Sequence, residues 1–83
     1  MARIIDGKEM NMVGSNIRRI RTERKISQQT LSDRLEMMAI YICRGSVSRI
    51  EDKSRTVTDI ELYGIAKVLG VTISDLFEPR NDE

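Results

Sequence analysis

Residues 43–52 read CRGSVSRIED, and this stretch decides how the rest of the chain is interpreted. Val47 and Ile50 stand three positions apart, so in a helix they share one face and can be buried together. Gly45, Ser48 and Arg49 then lie on the opposite face. That outward face is small, cationic and hydroxylated, which suits a helix that meets polar base edges in a groove of DNA. The stretch alone leaves open an ordinary solvated helix with incidental arginines.

The length and composition restrict what the chain can do. Eighty-three residues form one small domain with a modest core. The chain has three aromatic residues, so the core must be aliphatic. One cysteine excludes an intrachain disulfide and fits a reducing compartment. Without histidine, we expect no His-based catalysis, no Cys/His zinc site and no cofactor.

Charge is divided unevenly along the chain. Residues 1–55 hold twelve Lys and Arg against seven Asp and Glu, a net charge of +5. Residues 56–83 hold two against six, a net charge of −4, and the two parts sum to the overall +1. A basic part beside an acidic part indicates a polyanionic partner on one side of the fold. The alternative is that the uneven charge reflects ordinary variation in surface composition and indicates no partner.

The first predicted helix runs over 12–25, where Val13, Ile17 and Ile20 follow a helical spacing. Asn11 is a candidate for its N-cap. Before it, the apolar arm either docks on the domain or meets a second subunit.

The second helix is predicted to begin after Ser27, a favourable N-cap residue. Leu31, Leu35 and Met38 form its buried stripe, and we expect it to end near Met38 or Ala39. An extended segment should follow, because the stiff residues of 40–42 favour strand-like backbone over helix.

Capping signals define the remaining helices. A fourth helix is predicted over 59–69, from a capping box of Thr58 with Glu61 to a C-terminal Gly70. A short fifth helix ends before Pro79. The predicted fold class is therefore a compact all-α domain of five helices. It covers 12–78, between an N-terminal arm at 1–11 and a polar tail at 79–83.

Four segments resemble, in order, the Cro/repressor-type helix-turn-helix family, also called the xenobiotic-response-element type. They are NIRRIR at 16–21, ISQQTLS at 26–32, GSVSRIE at 45–51 and IAKVLGV at 65–71. The resemblance covers about 13–77. It implies that helices two and three form the helix-turn-helix and that helix three lies in the major groove.

The resemblance also assigns roles to particular positions. Arg44 and Arg49 are candidates for bidentate contacts to guanine, and Gly45 for close approach of the backbone to DNA. A matching pair of charges is expected to form an internal salt bridge, Arg21 with Glu51. The positions expected to face bases are Arg44, Gly45, Ser48 and Arg49. Those expected to contact phosphates are Gln28, Gln29, Ser46, Lys53, Ser54, Arg55 and Thr56.

The connection between the two motif helices departs from the family, whose tight turn is often built around glycine. About five extra residues stand between Leu35 and Ser48, without the usual glycine. We place Ile42 in the core, and the surplus at 37–41 either lengthens helix two or forms a loop. Tyr41 is expected in the core, with a phosphate contact as the alternative, and Cys43 as a small packing residue at the N-cap of helix three.

These features predict a sequence-specific binder of double-stranded DNA, without catalysis, acting in a prokaryotic or phage cytoplasm. A domain this small contacts few bases, so we expect a homodimer, most simply a repressor, on a near-palindromic operator. Candidate dimer surfaces are the apolar arm and the last helix, with Leu76 and Phe77. An antitoxin-like or adapter module is the alternative, supported by Met37, Ile40 and the apolar residues of the arm, all of which are expected to be exposed. No membrane partner and no small-molecule effector are expected.

Overall fold

The computed structural model describes residues 8–78. Within them the chain forms five helices and no strand, which confirms the predicted all-α class. The predictions made for the start of the arm and for the polar tail fall on residues 1–7 and 79–83, outside the described part. The helices are α1 (Gly14–Glu23), α2 (Gln28–Glu36), α3 (Arg44–Glu51), α4 (Asp59–Leu69) and α5 (Ile73–Leu76).

Side-chain caps begin most of these helices where the sequence predicts them. The Ser27 hydroxyl accepts a hydrogen bond from the backbone N–H of Thr30. Thr58 and Glu61 form a reciprocal capping box at the start of α4. Val13, not Asn11, occupies the N-cap position of α1, but the Asn11 carboxamide oxygen accepts from the backbone N–H of Gly14 at 2.8 Å. These bonds satisfy amides that have no partner within a helix.

Left-handed residues end four of the helices, whereas the sequence indicated only Gly70. Lys25, Ala39 and Lys53 share its positive φ. In each case the next residue donates its N–H to a carbonyl five positions back, the bond that defines a Schellman motif. The helices α1 and α2 therefore end at Glu23 and Glu36, two or three residues earlier than predicted.

The core is entirely aliphatic, in agreement with the composition. It forms where α3 packs against α1 and α2, and α4 packs against α1, α2 and α5. Its members are Val13, Ile17, Ile20, Leu31, Leu35, Ile40, Ile42, Val47, Ile50, Ile65, Ala66, Leu69 and Leu76. No helix within residues 8–78 has the length and apolar character that crossing a bilayer requires.

Five burial predictions are wrong, and four of them involve the connection between α2 and α3, where Cys43 is exposed instead of packed. Met38 leaves the buried stripe because α2 has already ended, and it is partly exposed. Ile40 is buried instead of exposed, while Tyr41 is 76% exposed instead of packed in the core. At the other end of the domain, Leu76 is completely buried and is not available to a dimer partner.

Two buried polar side chains join elements whose contact no local sequence signal predicts. Asn16 of α1 donates from Nδ2 to the carbonyls of Leu76 and Glu78, at 2.9 and 2.7 Å. Ser32 of α2 donates from its hydroxyl to the carbonyl of Ile42 at 2.6 Å. These bonds hold the end of α5 and the segment before α3 in place, because breaking either would leave a buried carbonyl without a partner.

Candidate nucleic-acid interface

The two faces of α3 are segregated as its sequence predicts. Val47 and Ile50 are buried against α1 and α2. Arg44, Gly45 and Arg49 are exposed, and two half-buried serines, Ser46 and Ser48, lie between them. The helix therefore presents one guanidinium at its first residue and another near its end, with open backbone at Gly45.

The first turn of α3 carries a small polar cluster. The Arg49 guanidinium donates to the Ser46 hydroxyl at 3.0 Å, and the Cys43 thiol donates to the same oxygen at 3.4 Å. When the Ser46 hydroxyl and backbone N–H donate to the sulfur instead, they stabilise the thiolate, and this lowers the pKa of Cys43. Cys43 occupies the N-cap position, as predicted, but it is exposed, so the predicted packing role is wrong.

A buried ion pair fixes α3 to α1. Arg21 donates from Nε and Nη2 to the two carboxylate oxygens of Glu51, at 2.6 and 3.0 Å. The remaining guanidinium nitrogen donates to the carbonyl of Ile26 at 2.7 Å. Gln28, at the first position of α2, adds a donor to Glu51 at 3.0 Å. The salt bridge expected from the resemblance is present, and one carboxylate joins the ends of three helices.

The loop after α3 is polar, but two of its cations are already in ion pairs. Lys53 lies 3.3 Å from a carboxylate oxygen of Glu9. Arg55 forms a bidentate ion pair with Glu61, in which both N–O distances are 3.0 Å. Ser54 donates to the side chain of Asp52. A phosphate contact by Arg55 would therefore share its guanidinium with Glu61.

The Arg55–Glu61 pair predicts acid sensitivity. The hydrogen bonds from Arg55, followed by that from the backbone N–H of Thr58, hold the pKa of Glu61 below its ordinary value. The unfolded chain then binds a proton at a higher pH than the folded one. The stability that the pair contributes is complete at pH values above the ordinary pKa of Glu61. It is lost as the pH falls through the lowered pKa that Glu61 has in the folded state.

We expect the difference in melting temperature between the wild type and Glu61→Gln to shrink as the pH is lowered from about 6 to about 3. Glu36→Gln is the matched control, because Glu36 is exposed on α2. The melting temperature of Glu36→Gln should differ little from that of the wild type at every pH in this range. A Glu61→Gln difference that stays constant across this range would contradict the assignment.

A profile of the Cro/C1-type helix-turn-helix DNA-binding domain matches residues 16–82, most of the chain. The chain belongs to the Cro/C1-type helix-turn-helix family. Its function is therefore DNA-binding transcription regulation, with double-stranded DNA as the partner. In this family the motif helices correspond to α2 and α3.

Comparison of structures agrees on the fold. The DNA-binding domain of BldD superposes with a TM-score of 0.68 over 89% of this chain and 100% of that domain, at 23% identity. No curated protein sequence matches the chain significantly.

The surplus residues of this Cro/C1-type domain form a loop between α2 and α3 and do not lengthen α2. Ala39 takes a left-handed conformation that glycine adopts more readily than alanine. The chain then runs extended to Cys43, held by the bond between Ser32 and the carbonyl of Ile42. We call residues 37–43 the connecting loop. It leaves the outward face of α3 exposed, so the inserted residues do not cover the recognition helix.

Residues 8–78 contain no grouping of three or more acidic or cysteine side chains able to hold a metal ion. The polar positions predicted from the resemblance lie along α3, at the first two residues of α2 and in the loop after α3. Shallow, open grooves run beside them, one of which is lined by Tyr41, Cys43 and Ser46.

Proposed function

We propose that this chain is a sequence-specific repressor that binds a near-palindromic operator as a homodimer. The observation that supports the proposal is the fixed orientation of α3. Its apolar edge is buried and its last residue, Glu51, is held by Arg21 and Gln28, so Arg44 and Arg49 project from a rigid support. A rigid helix reads bases well because little conformational freedom is lost on binding.

Base reading would come from the outward face of α3. Arg44 and Arg49 suit bidentate contacts to O6 and N7 of guanine, each providing roughly 1–3 kcal/mol of discrimination. Gly45 leaves the backbone free to approach the bases. Ser48 would add a hydroxyl at the edge of this face. The bond from Arg49 to Ser46 would be exchanged for the base contact on binding.

Phosphate contacts would come from both sides of α3. Gln28 and Gln29 stand at the N-terminus of α2, where free backbone N–H groups favour an anion. The loop after α3 contributes polar groups on the second side. Its proposed phosphate contacts are Lys53, Ser54, Arg55 and Thr56, with Ser46 at the start of α3. Such contacts position the protein without reading sequence.

A homodimer would double the few bases that one domain reaches. With Leu76 in the core, the exposed apolar side chains that remain for self-association include those of the arm, of α4 and of the end of the domain, among them Met10, Met12, Ile60, Ile73 and Phe77. Two-fold symmetry would place the half-sites about 34 Å apart, one turn of DNA. The proposed mechanism is occupancy of the operator in the cytoplasm, with no catalytic step, no cofactor and no effector.

Selection of bound duplexes from a random pool tests this proposal. We expect a two-fold symmetric consensus, and affinity that falls steeply with salt, with a slope of about −0.9 per phosphate contacted. Arg44→Ala and Arg49→Ala should each relax a different base position by roughly 1–3 kcal/mol. A single half-site consensus would contradict the dimer, and affinity insensitive to salt would contradict DNA binding.

The adapter alternative keeps part of its support, because Met10 and Met12 of the arm are exposed. Met37 is 87% exposed at the start of the connecting loop, a position that suits contact with another protein. Ile40 no longer supports this alternative, because it is buried. Absence of any selected duplex would favour the adapter.

A further inference from the structure

Tyr41 points outward from the connecting loop because of the alternation of its neighbours. Successive side chains of an extended segment face opposite sides. Ile40 and Ile42 are both buried, so the side chain between them must face solvent, and Tyr41 is 76% exposed. The sequence supplies no reason to leave a large aromatic ring in water at this point.

The backbone that carries Tyr41 is held on both sides. Ile40 donates its N–H to the carbonyl of Leu35 at 3.0 Å and fits against Gly64 of α4, where a Cβ would clash with it. The carbonyl of Ile42 accepts the Ser32 hydroxyl at 2.6 Å. A ring presented from so fixed a segment loses little freedom when it forms a contact.

The place that Tyr41 occupies is the start of the recognition helix. One groove is lined by Tyr41, Cys43 and Ser46, and α3 begins at Arg44, immediately after Cys43. Gln28 lies at the other end, bonded to Glu51, the last residue of α3. Eight helical residues, about 12 Å, separate these ends, so Tyr41 and Gln28 would meet different phosphates.

We propose that Tyr41 donates its phenolic hydrogen bond to a DNA phosphate beside the N-terminal end of α3. The inference rests on the proposed function, since it needs α3 to lie in the major groove. Tyrosine hydroxyls are among the groups that contact phosphate and sugar in protein–DNA complexes. The same groove also carries Asp33 and Glu36, which disfavour a phosphate deep between the helices and leave the outer position beside Tyr41 and Arg44.

The two tyrosines of the chain provide a matched experiment. Tyr63 is half-exposed on α4, where it lines a groove together with Lys67 and Ile73. We expect Tyr41→Phe to raise the Kd about tenfold, for a selected duplex and for an unrelated duplex alike, since a phosphate contact is independent of sequence. The slope of log Kd against log salt should stay unchanged, because a neutral phenol displaces no counterion. Tyr63→Phe should leave the Kd unchanged.

Intrinsic fluorescence adds a second measurement, because the chain has no tryptophan. In Tyr63→Phe protein the only tyrosine emission comes from Tyr41, and we expect added duplex to change it with the same Kd that anisotropy gives. In Tyr41→Phe protein the emission of Tyr63 should not respond.

The outcomes separate the two proposals. Wild-type binding with an equal Kd for Tyr41→Phe would overturn the Tyr41 contact and leave the proposed function standing. Failure of the wild type to bind any duplex would overturn the proposed function, and the contact with it. A Tyr41→Phe loss confined to the selected duplex would also overturn the phosphate contact, since it would indicate base reading.

Discussion

Replacing Glu51 with alanine is expected to lower the free energy of unfolding by about 3–5 kcal/mol, because it leaves the Arg21 guanidinium buried without its partner. The Glu51 side chain is 3% exposed and that of Arg21 is 10% exposed. The substitution also removes the acceptor of Gln28. Against a typical total stability of about 5–15 kcal/mol, such a loss is a large fraction.

The matched control is Glu23→Ala. Glu23 pairs with Arg19 at 3.4 Å, but the side chains are 57% and 36% exposed. An exposed pair of this kind contributes about 0–1 kcal/mol, so this variant should melt close to the wild type. Denaturant unfolding of both variants measures the difference. Equal stability of Glu51→Ala and Glu23→Ala would remove the structural role of the buried pair.

The substitutions Gly14→Ala and Gly45→Ala are expected to change the free energy of unfolding in opposite directions. A Cβ on Gly14 would clash with the carbonyl oxygen of Ile50 and lie 3.0 Å from that of Glu51. Both atoms belong to the backbone at the end of α3, so relief requires α1 and α3 to separate. Overpacking of this kind destabilises by about 1–3 kcal/mol. On Gly45 a Cβ would meet only the guanidinium of Arg49, at 3.8 Å.

Gly45→Ala should therefore stabilise the domain by about 0.5–1 kcal/mol, the usual difference in helix propensity. The same variant should bind the selected duplex more weakly, because the added methyl group blocks the backbone approach proposed for Gly45. Chemical denaturation and anisotropy on one protein sample test both. A Gly45→Ala protein that is more stable and binds equally well would refute the close approach, and Gly14→Ala melting like the wild type would refute the clash.

The helices of this protein were predictable because each is encoded in neighbouring residues. The caps at Ser27 and Thr58 act over three positions, and the stripe of Val47 and Ile50 repeats over three. The outward face of α3 follows directly once that edge is buried. The arginine–glutamate pair was predictable only through the family resemblance, since Arg21 and Glu51 lie thirty positions apart.

The connecting loop shows where such local signals end. The stiff residues at 40–42 indicate extended backbone, but which of them face inward depends on α4 and on the hydroxyl of Ser32. Tyr41 was consequently expected in the core and Ile40 outside it, the reverse of what is found. Ala39 adopts a conformation that its own preference disfavours, and tertiary contacts must supply the energy for that.

Taken by itself, the sequence determined the helix class, most helix starts, the aliphatic core and the amphipathic orientation of α3, all of which depend on spacing within a few residues. Only the tertiary structure decided that Gly14 is an interhelical contact, that Gln28 and Arg55 already have carboxylate partners, and that Tyr41 is exposed beside the recognition helix. The physical reason is that these features depend on which distant groups the packing brings within hydrogen-bond or van der Waals range, and residue spacing carries no record of that.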